Sequence, residues 1–208
     1  MIRAILYDCD GVLVDACEWH YEALNRALQE VAGTQIEREE HEQLFNGLPT
    51  LKKLELLTSF GRVNRADFDR IFELKQQYTI QTINDLARPD QVKIDLHEFV
   101  TQGVGIPIAC VTNSIAATAK LMLERTGQLK YMSFLVTNED VRLPKPAAEG
   151  YIQAMVRLST QPTKTLIIED SDKGVQAAMA SCANLVRVDG IAQVTRENIA
   201  RYLKEFDR

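Results

Sequence analysis

The sequence predicts an α/β fold, a doubly wound parallel sheet interrupted after its first strand by an all-helical insert. Three observations predict it. Short continuous apolar runs alternate with segments of helical period in the second half of the chain, as expected of strands covered on both faces by crossover helices. Between residues 16 and 86 the period is helical throughout, with no strand pattern. Polar residues then follow the apolar runs abruptly, at the strand ends where open α/β sheets bind ligands.

The elements follow in order. Ile2 to Tyr7 is an apolar run that reads as a buried strand, and it leads into Asp8-Cys9-Asp10-Gly11-Val12-Leu13-Val14-Asp15. From Ala16, the positions Trp19, Ala23, Leu24, Ala27, Leu28 and Val31 keep a helical spacing that Gly33 ends. A second helix starts near Thr50, with Leu51, Leu54 and Leu57 on one face and Gly61 beyond it. A third follows Asn64 and carries Phe68, Ile71, Phe72, Leu74, Tyr78 and Ile83 to about Leu86. Pro89 marks the return to strand–helix alternation. Strands are expected at Ile106 to Val111, Phe134 to Val136, Leu166 to Ile168 and Leu185 to Val188. Helices are expected from Ala116 to Thr126, after Lys145-Pro146, from Gly174 to Ser181 and from Ile199 to Phe206. The expected domains are therefore residues 1–15 with 87–208 as the α/β core, and residues 16–86 as the helical unit.

Bulk properties narrow the class. A chain of 208 residues forms one large domain or a core with a smaller companion. At 46% hydrophobic and 25% charged it is typical of a globular protein. The net charge of -5, with no basic cluster, argues against a nucleic-acid surface. The 4 cysteines show no CxxC spacing, so neither a zinc site nor a disulfide framework is indicated. The opening residues carry no targeting pattern, and no stretch approaches the roughly 20 apolar residues of a membrane span. A cytoplasmic protein is expected, without membrane association. No apolar helix face stands out as a dimer interface, so a monomer is expected.

The polar residues at the strand ends carry the chemistry. A strand projects Asp8 and Asp10 to opposite faces unless the chain turns between them, and Gly11 permits that turn. Each later feature also has a plain structural reading. Thr112-Asn113-Ser114 suits a helix N-cap, Lys145 a solvated surface, and Glu169-Asp170 a helix N-terminus. Their shared position at carboxyl edges favours a site instead. Asp8, Asp170 and Glu169 supply hard oxygen ligands suited to Mg2+. A carboxylate can attack a phosphoryl group to form an aspartyl-phosphate. Lys145 and the Thr112 hydroxyl would neutralise and hold the phosphoryl oxygens. Asp10 is the candidate proton donor and acceptor.

On these residues the chain resembles the haloacid dehalogenase superfamily of phosphotransferases. Asp8-Cys9-Asp10-Gly11-Val12-Leu13 is similar to its first motif, with Val12 where threonine is commoner. Thr112 matches the second, Lys145-Pro146 the third, and Ile168-Glu169-Asp170-Ser171 the fourth. The resemblance spans the chain and implies a Rossmann-like core with an inserted helical cap. It implies Asp8 as nucleophile and Asp10 as general acid/base, with the Asp10 carbonyl also on Mg2+. It further implies Thr112 and Lys145 on the phosphoryl group, and Glu169 and Asp170 completing the metal site. Asn113 and Ser114 are expected to bind substrate. The segment after Lys145 lacks the family's second proline and following acid, and Gly150 weakens the helix expected there. The acid at position 10 favours phosphate esters, because the dehalogenating branch lacks it.

Asp15-Ala16-Cys17-Glu18-Trp19-His20 is similar to the hinge of β-phosphoglucomutase and phosphoglycolate-phosphatase relatives. That likeness implies a catalytic role for His20 on cap closure, set against simple packing at the hinge. Asn46-Gly47-Leu48-Pro49-Thr50 with Lys52 and Lys53 resembles the cap's specificity loop, although two solvated helix lysines explain the pair equally. The expected activity is Mg2+-dependent hydrolysis of a small phosphorylated metabolite. The alternatives are a sugar phosphomutase and, in a different class, a receiver-like phospho-acceptor domain. A receiver has no 70-residue insert after its first strand, which weighs against the last.

Overall fold

The computed structural model describes residues 1–206, which form two compact units, residues 1–15 with 88–206 and residues 16–87. The first unit is built on five parallel strands: β1 (Ala4–Tyr7), β2 (Ile108–Val111), β3 (Met132–Val136), β4 (Thr165–Glu169) and β5 (Asn184–Arg187). Their spatial order is β3-β2-β1-β4-β5, with β1 hydrogen-bonded to β2 on one side and β4 on the other. The sheet thus runs outward in both directions from β1, and the crevice beside its carboxyl end is where such sheets bind ligands. The inner strands β1, β2 and β4 are buried at every residue, which is why β1, β2 and the middle of β4, Leu166 to Ile168, read as unbroken apolar runs. The edge strands β3 and β5 are mostly half-buried, and their patterns are correspondingly weaker.

The helical unit comprises α1 (Cys17–Ala32), α2 (Arg38–Glu40), which runs on as a wider turn over His41–Phe45, α3 (Thr50–Ser59) and α4 (Phe68–Leu86). α1 stops where Gly33 adopts φ 62° and returns its N–H to the Gln29 carbonyl. Leu24, Leu28, Phe45, Leu54, Leu57 and Ile71 form a separate core for these helices. The Asn25 amide holds both the N–H and the carbonyl of Ile36, fixing the connection after α1.

Five helices complete the α/β unit: α5 (Gln91–Glu98), α6 (Ala116–Arg125), α7 (Glu149–Arg157), α8 (Asp172–Ala180) and α9 (Arg196–Glu205). α5 is absent from the sequence expectation. Its apolar residues are few, and Asp90 starts it by accepting a hydrogen bond from Lys93 N–H. One cluster joins Leu6, Val111, Val136 and Ile167 of the sheet to Tyr151, Ala154 and Met155 of α7 and to Ala177 and Ala178 of α8. Gly150, expected to weaken α7, has a packing reason: a Cβ there would stand 3.0 Å from Val111 Cγ1. Glu169 is the last residue of β4 rather than part of the loop after it, and Ser171, not Glu169 or Asp170, caps α8. Among the described residues no helix is long and apolar enough to cross a membrane.

Candidate active site

β1 delivers Asp8 to the carboxyl edge of the sheet. Asp8 N–H donates to the Ile168 carbonyl at 3.0 Å, extending the ladder with β4 by one residue. The chain then turns tightly. The N–H groups of Leu13 and Val14 both donate to the Cys9 carbonyl at 2.9 Å, and Gly11 N–H donates to the Val14 carbonyl at 2.8 Å. Gly11 takes φ +87°, and a Cβ on it would lie 2.1 Å from Asp170 Oδ2. Glycine is therefore required here both by backbone conformation and by the nearness of an acid.

β2 supplies the next group. Thr112 N–H donates to the Val136 carbonyl at 2.9 Å, and Thr112 Oγ1 accepts from Ser114 N–H at 3.0 Å, a contact that does not use the hydroxyl hydrogen. Ser114 Oγ donates to Asp10 Oδ2 at 2.8 Å, so the second acid of the turn is tied to the end of β2. The Asn113 amide grips the backbone of Lys145 twice, through Nδ2 to its carbonyl at 3.1 Å and from its N–H to Oδ1 at 3.0 Å. The residues after β2 do not cap α6 with a side chain. Glu139 does so instead, accepting from Ala116 N–H at 2.6 Å.

Lys145 is the hub. Its ammonium donates to Asp8 Oδ1 at 2.6 Å, to Glu169 Oε1 at 2.5 Å and to the Val111 carbonyl at 2.7 Å. Those three bonds match the three hydrogens an ammonium carries. The side chain is only 6% exposed, so these bonds form in a poorly screened setting and orient it firmly. Burial works against the Lys145 charge, but Asp8 and Glu169 more than offset it and hold the ammonium well above the usual lysine range.

Glu169 is fully buried, and protein donors meet both of its oxygens. Oε1 takes Lys145 and the Tyr151 hydroxyl, the latter at 2.6 Å; Oε2 takes Asp170 N–H at 3.1 Å and Ser171 Oγ at 3.4 Å. Gly174 makes room for it, since a Cβ there would fall 1.9 Å from Glu169 Cδ. Asp170 differs: its Oδ1 is buried and has no hydrogen-bond partner. Carboxylate oxygens of Asp8, Glu169 and Asp170 lie within 4.8 Å of one another. A hard oxygen set with one unpartnered buried acceptor fits a divalent cation of the Mg2+ type. Asp170 is the better ligand than Glu169, whose oxygens are already engaged.

The electrostatics point the same way. Burial pushes the Asp8 carboxyl well above the usual range; Lys145 opposes this, while Glu169, Asp170 and Asp10 reinforce it. Burial and then Glu169 push Asp170 up to about 6. Four carboxylates around one ammonium leave an excess of negative charge that a divalent cation would relieve.

A strand-end acid pair, a threonine, a buried lysine and a second acid pair now stand in one hydrogen-bonded constellation. The sequence from residue 5 to 188 matches the family described as haloacid dehalogenase-like hydrolase. The chain belongs to that family. Among relatives of this hydrolase, the phosphorylated carbohydrates phosphatase of Thermotoga maritima is 28% identical over 196 residues, covering 91% of this chain and 85% of the relative. The fructose-1-phosphate phosphatase YqaB of Escherichia coli is 28% identical over 185 residues, covering 88% and 95%. Among solved structures, β-phosphoglucomutase from Clostridium difficile superimposes with a TM-score of 0.83 at 22% identity, covering 100% of both chains, a likeness of fold.

Within this hydrolase the sequence-predicted residues fall into two groups. Asp8, Asp10, Thr112, Asn113, Ser114, Lys145, Glu169 and Asp170 are joined by the contacts above. His20, Lys52 and Lys53 lie in the helical unit. There His20 Nδ1 is 3.1 Å from Lys75 Nζ, Lys52 is exposed and paired with Glu55 at 2.8 Å, and Lys53 is buried. Lys53 is thus not the solvated lysine that one reading of the sequence allowed. Three participants escape the sequence reading: Tyr151, Gly174 and the Val111 carbonyl. Only Tyr151 leaves a signal, because a phenol among the apolar positions of a buried helix needs a hydrogen-bond partner.

Proposed function

We propose that this hydrolase is a Mg2+-dependent phosphatase that acts on a small phosphorylated metabolite, a sugar phosphate or similar phosphomonoester, through a phosphoryl group carried on Asp8. The observation that carries this reading is the Lys145–Asp8 contact. With Oδ1 held by the ammonium at 2.6 Å, the buried carboxylate has a fixed orientation in which Oδ2 is the attacking atom. Asp8 Oδ2 bonds to phosphorus as the bond from phosphorus to the leaving oxygen breaks. Asp10, protonated at the start of the step and held at Oδ2 by Ser114, gives that oxygen its proton and becomes a carboxylate. Asp10 then takes a proton from the water that attacks the same phosphorus, the bond to Asp8 breaks, and inorganic phosphate leaves. Thr112 holds a phosphoryl oxygen through these steps, and the Lys145 ammonium, its hydrogens on Asp8, Glu169 and the Val111 carbonyl, offsets phosphoryl charge through its field. Asp8, Asp170 and the Asp10 backbone carbonyl would hold Mg2+, and the cation would supply charge neutralisation for the phosphoryl group. The carbohydrate phosphatases among the relatives support the substrate class.

A panel of sugar and short organic phosphates, with and without Mg2+ and beside Asp8→Asn, tests the reading. Phosphate release that needs both Mg2+ and Asp8 supports it; equal release by wild type and Asp8→Asn on every substrate overturns it.

One observation favours a sugar phosphomutase as second reading. Lys75 Nζ donates to His20 Nδ1, which sets the hydrogen on Nε2 and makes that edge of the ring a donor. This suits the assisting role that the hinge resemblance gives His20. Conversion of a hexose 1-phosphate to its 6-phosphate with no free phosphate would decide for the mutase.

A further inference from the structure

Tyr151 has no place in the chemistry above, yet it touches two of its members. The residue lies on α7, fully buried, with its hydroxyl 2.6 Å from Glu169 Oε1. The same oxygen is 2.5 Å from Lys145 Nζ, and that nitrogen sits 4.9 Å from the centroid of the Tyr151 ring. One side chain thus meets the carboxylate with a donor and the ammonium with an aromatic face.

We propose that Tyr151 is a positioning residue for Lys145, acting through Glu169 to keep the ammonium aimed at Asp8. Lysine is a flexible point charge, and its direction is set only by its surroundings. Here Glu169 is the partner that competes with Asp8 for it. A carboxylate oxygen already bonded to a phenol is a weaker attractor than a bare one, because its charge is shared between two donors. The Tyr151 hydroxyl therefore balances Glu169 against Asp8. Without it, Glu169 Oε1 turns wholly to Lys145 and the contact that orients the nucleophile loosens. Phenylalanine would keep the ring and the packing but lose this balance. Because Tyr151 is buried, its effect reaches the bond-making step rather than substrate affinity.

Tyr151→Phe, assayed with p-nitrophenyl phosphate and Mg2+, tests this. The expected result is a fall in kcat of about 10-fold, with KM and the half-saturating Mg2+ concentration each within about 2-fold of wild type. The same substitution in a Glu169→Gln background is expected to add no further loss, since residues acting through one another are not additive. Only one atom is removed from a packed ring, and the thermal midpoint is followed in parallel to confirm folding. A kcat within about 2-fold of wild type, or an equal loss in both backgrounds, overturns the proposal. The inference rests on Asp8 as nucleophile. That assignment fails separately, if Asp8→Asn keeps its activity.

Discussion

Lys145 Nζ and Asp8 Oδ1 stand 2.6 Å apart although 137 residues separate them in the chain. The pair is buried, and Glu169 shares the same ammonium at 2.5 Å. Replacing Lys145 with Met keeps an unbranched side chain one atom shorter and removes the ammonium. Breaking one partner out of a buried ionic cluster costs about 3–5 kcal/mol. Lys145→Met is expected to lower the thermal midpoint and to reduce kcat by at least about 100-fold. Added Mg2+ should raise the midpoint of the variant more than that of wild type, because the cation becomes the remaining neutralising charge. Calorimetry with and without Mg2+ checks this.

Gly11→Ala tests the turn that brings the acids together. The new Cβ would meet Asp170 Oδ2 at 2.1 Å on a backbone with φ +87°. Strain of this kind costs on the order of 1–3 kcal/mol, and the displaced group is the carboxylate proposed to hold the metal. The variant is expected to need at least about 10-fold more Mg2+ for half-maximal activity. An unchanged Mg2+ titration would show that Asp170 does not hold the metal.

Asn113 separates two roles by kinetics. The sequence places it among substrate-binding residues, whereas its amide makes two hydrogen bonds to the Lys145 backbone. Asn113→Ala is expected to lower kcat by about 10-fold and leave KM within about 2-fold. A raised KM at constant kcat would instead mean that Asn113 binds substrate directly.

His97 makes stability depend on pH. Its ring is fully buried with Nε2 2.9 Å from Gln128 Oε1, and burial lowers its pKa from 6.5 to about 4. The folded state thus keeps His97 neutral in a range where the unfolded chain binds a proton. This contribution is complete above pH 6.5 and is lost as pH falls from 6.5 toward 4. The loss amounts to about 3 kcal/mol over that window. Urea midpoints at pH 7 and pH 4.5 should differ more for wild type than for His97→Gln.

The inner strands are legible because both of their faces are buried, which leaves unbroken apolar runs at Ala4–Tyr7, at Ile108–Val111 and at Leu166, Ile167 and Ile168 inside β4. α5 is not, since a short helix with few apolar positions owes its start to one side chain, Asp90. Residue types at the strand ends also announce a site, but they do not say which atom faces which. Asn113 reads as a cap or a substrate ligand until its amide is seen on the Lys145 backbone. Glu169 and Asp170 read alike in sequence. Only burial against Gly174, with donors from Tyr151, Ser171 and Lys145, separates the engaged carboxylate from the one whose Oδ1 lacks a partner.

Asp8 as the phosphorylated nucleophile is the centre of the proposed chemistry. The direct measurement is to quench the enzyme during turnover of a phosphomonoester with Mg2+, reduce it with borohydride, and locate the modified residue by peptide mass spectrometry. Reduction converts an aspartyl-phosphate to homoserine, so homoserine at position 8, dependent on substrate and lost when Mg2+ is withheld, is the expected result. Sustained turnover with Asp8 unmodified, or homoserine at Asp10 instead, would contradict it.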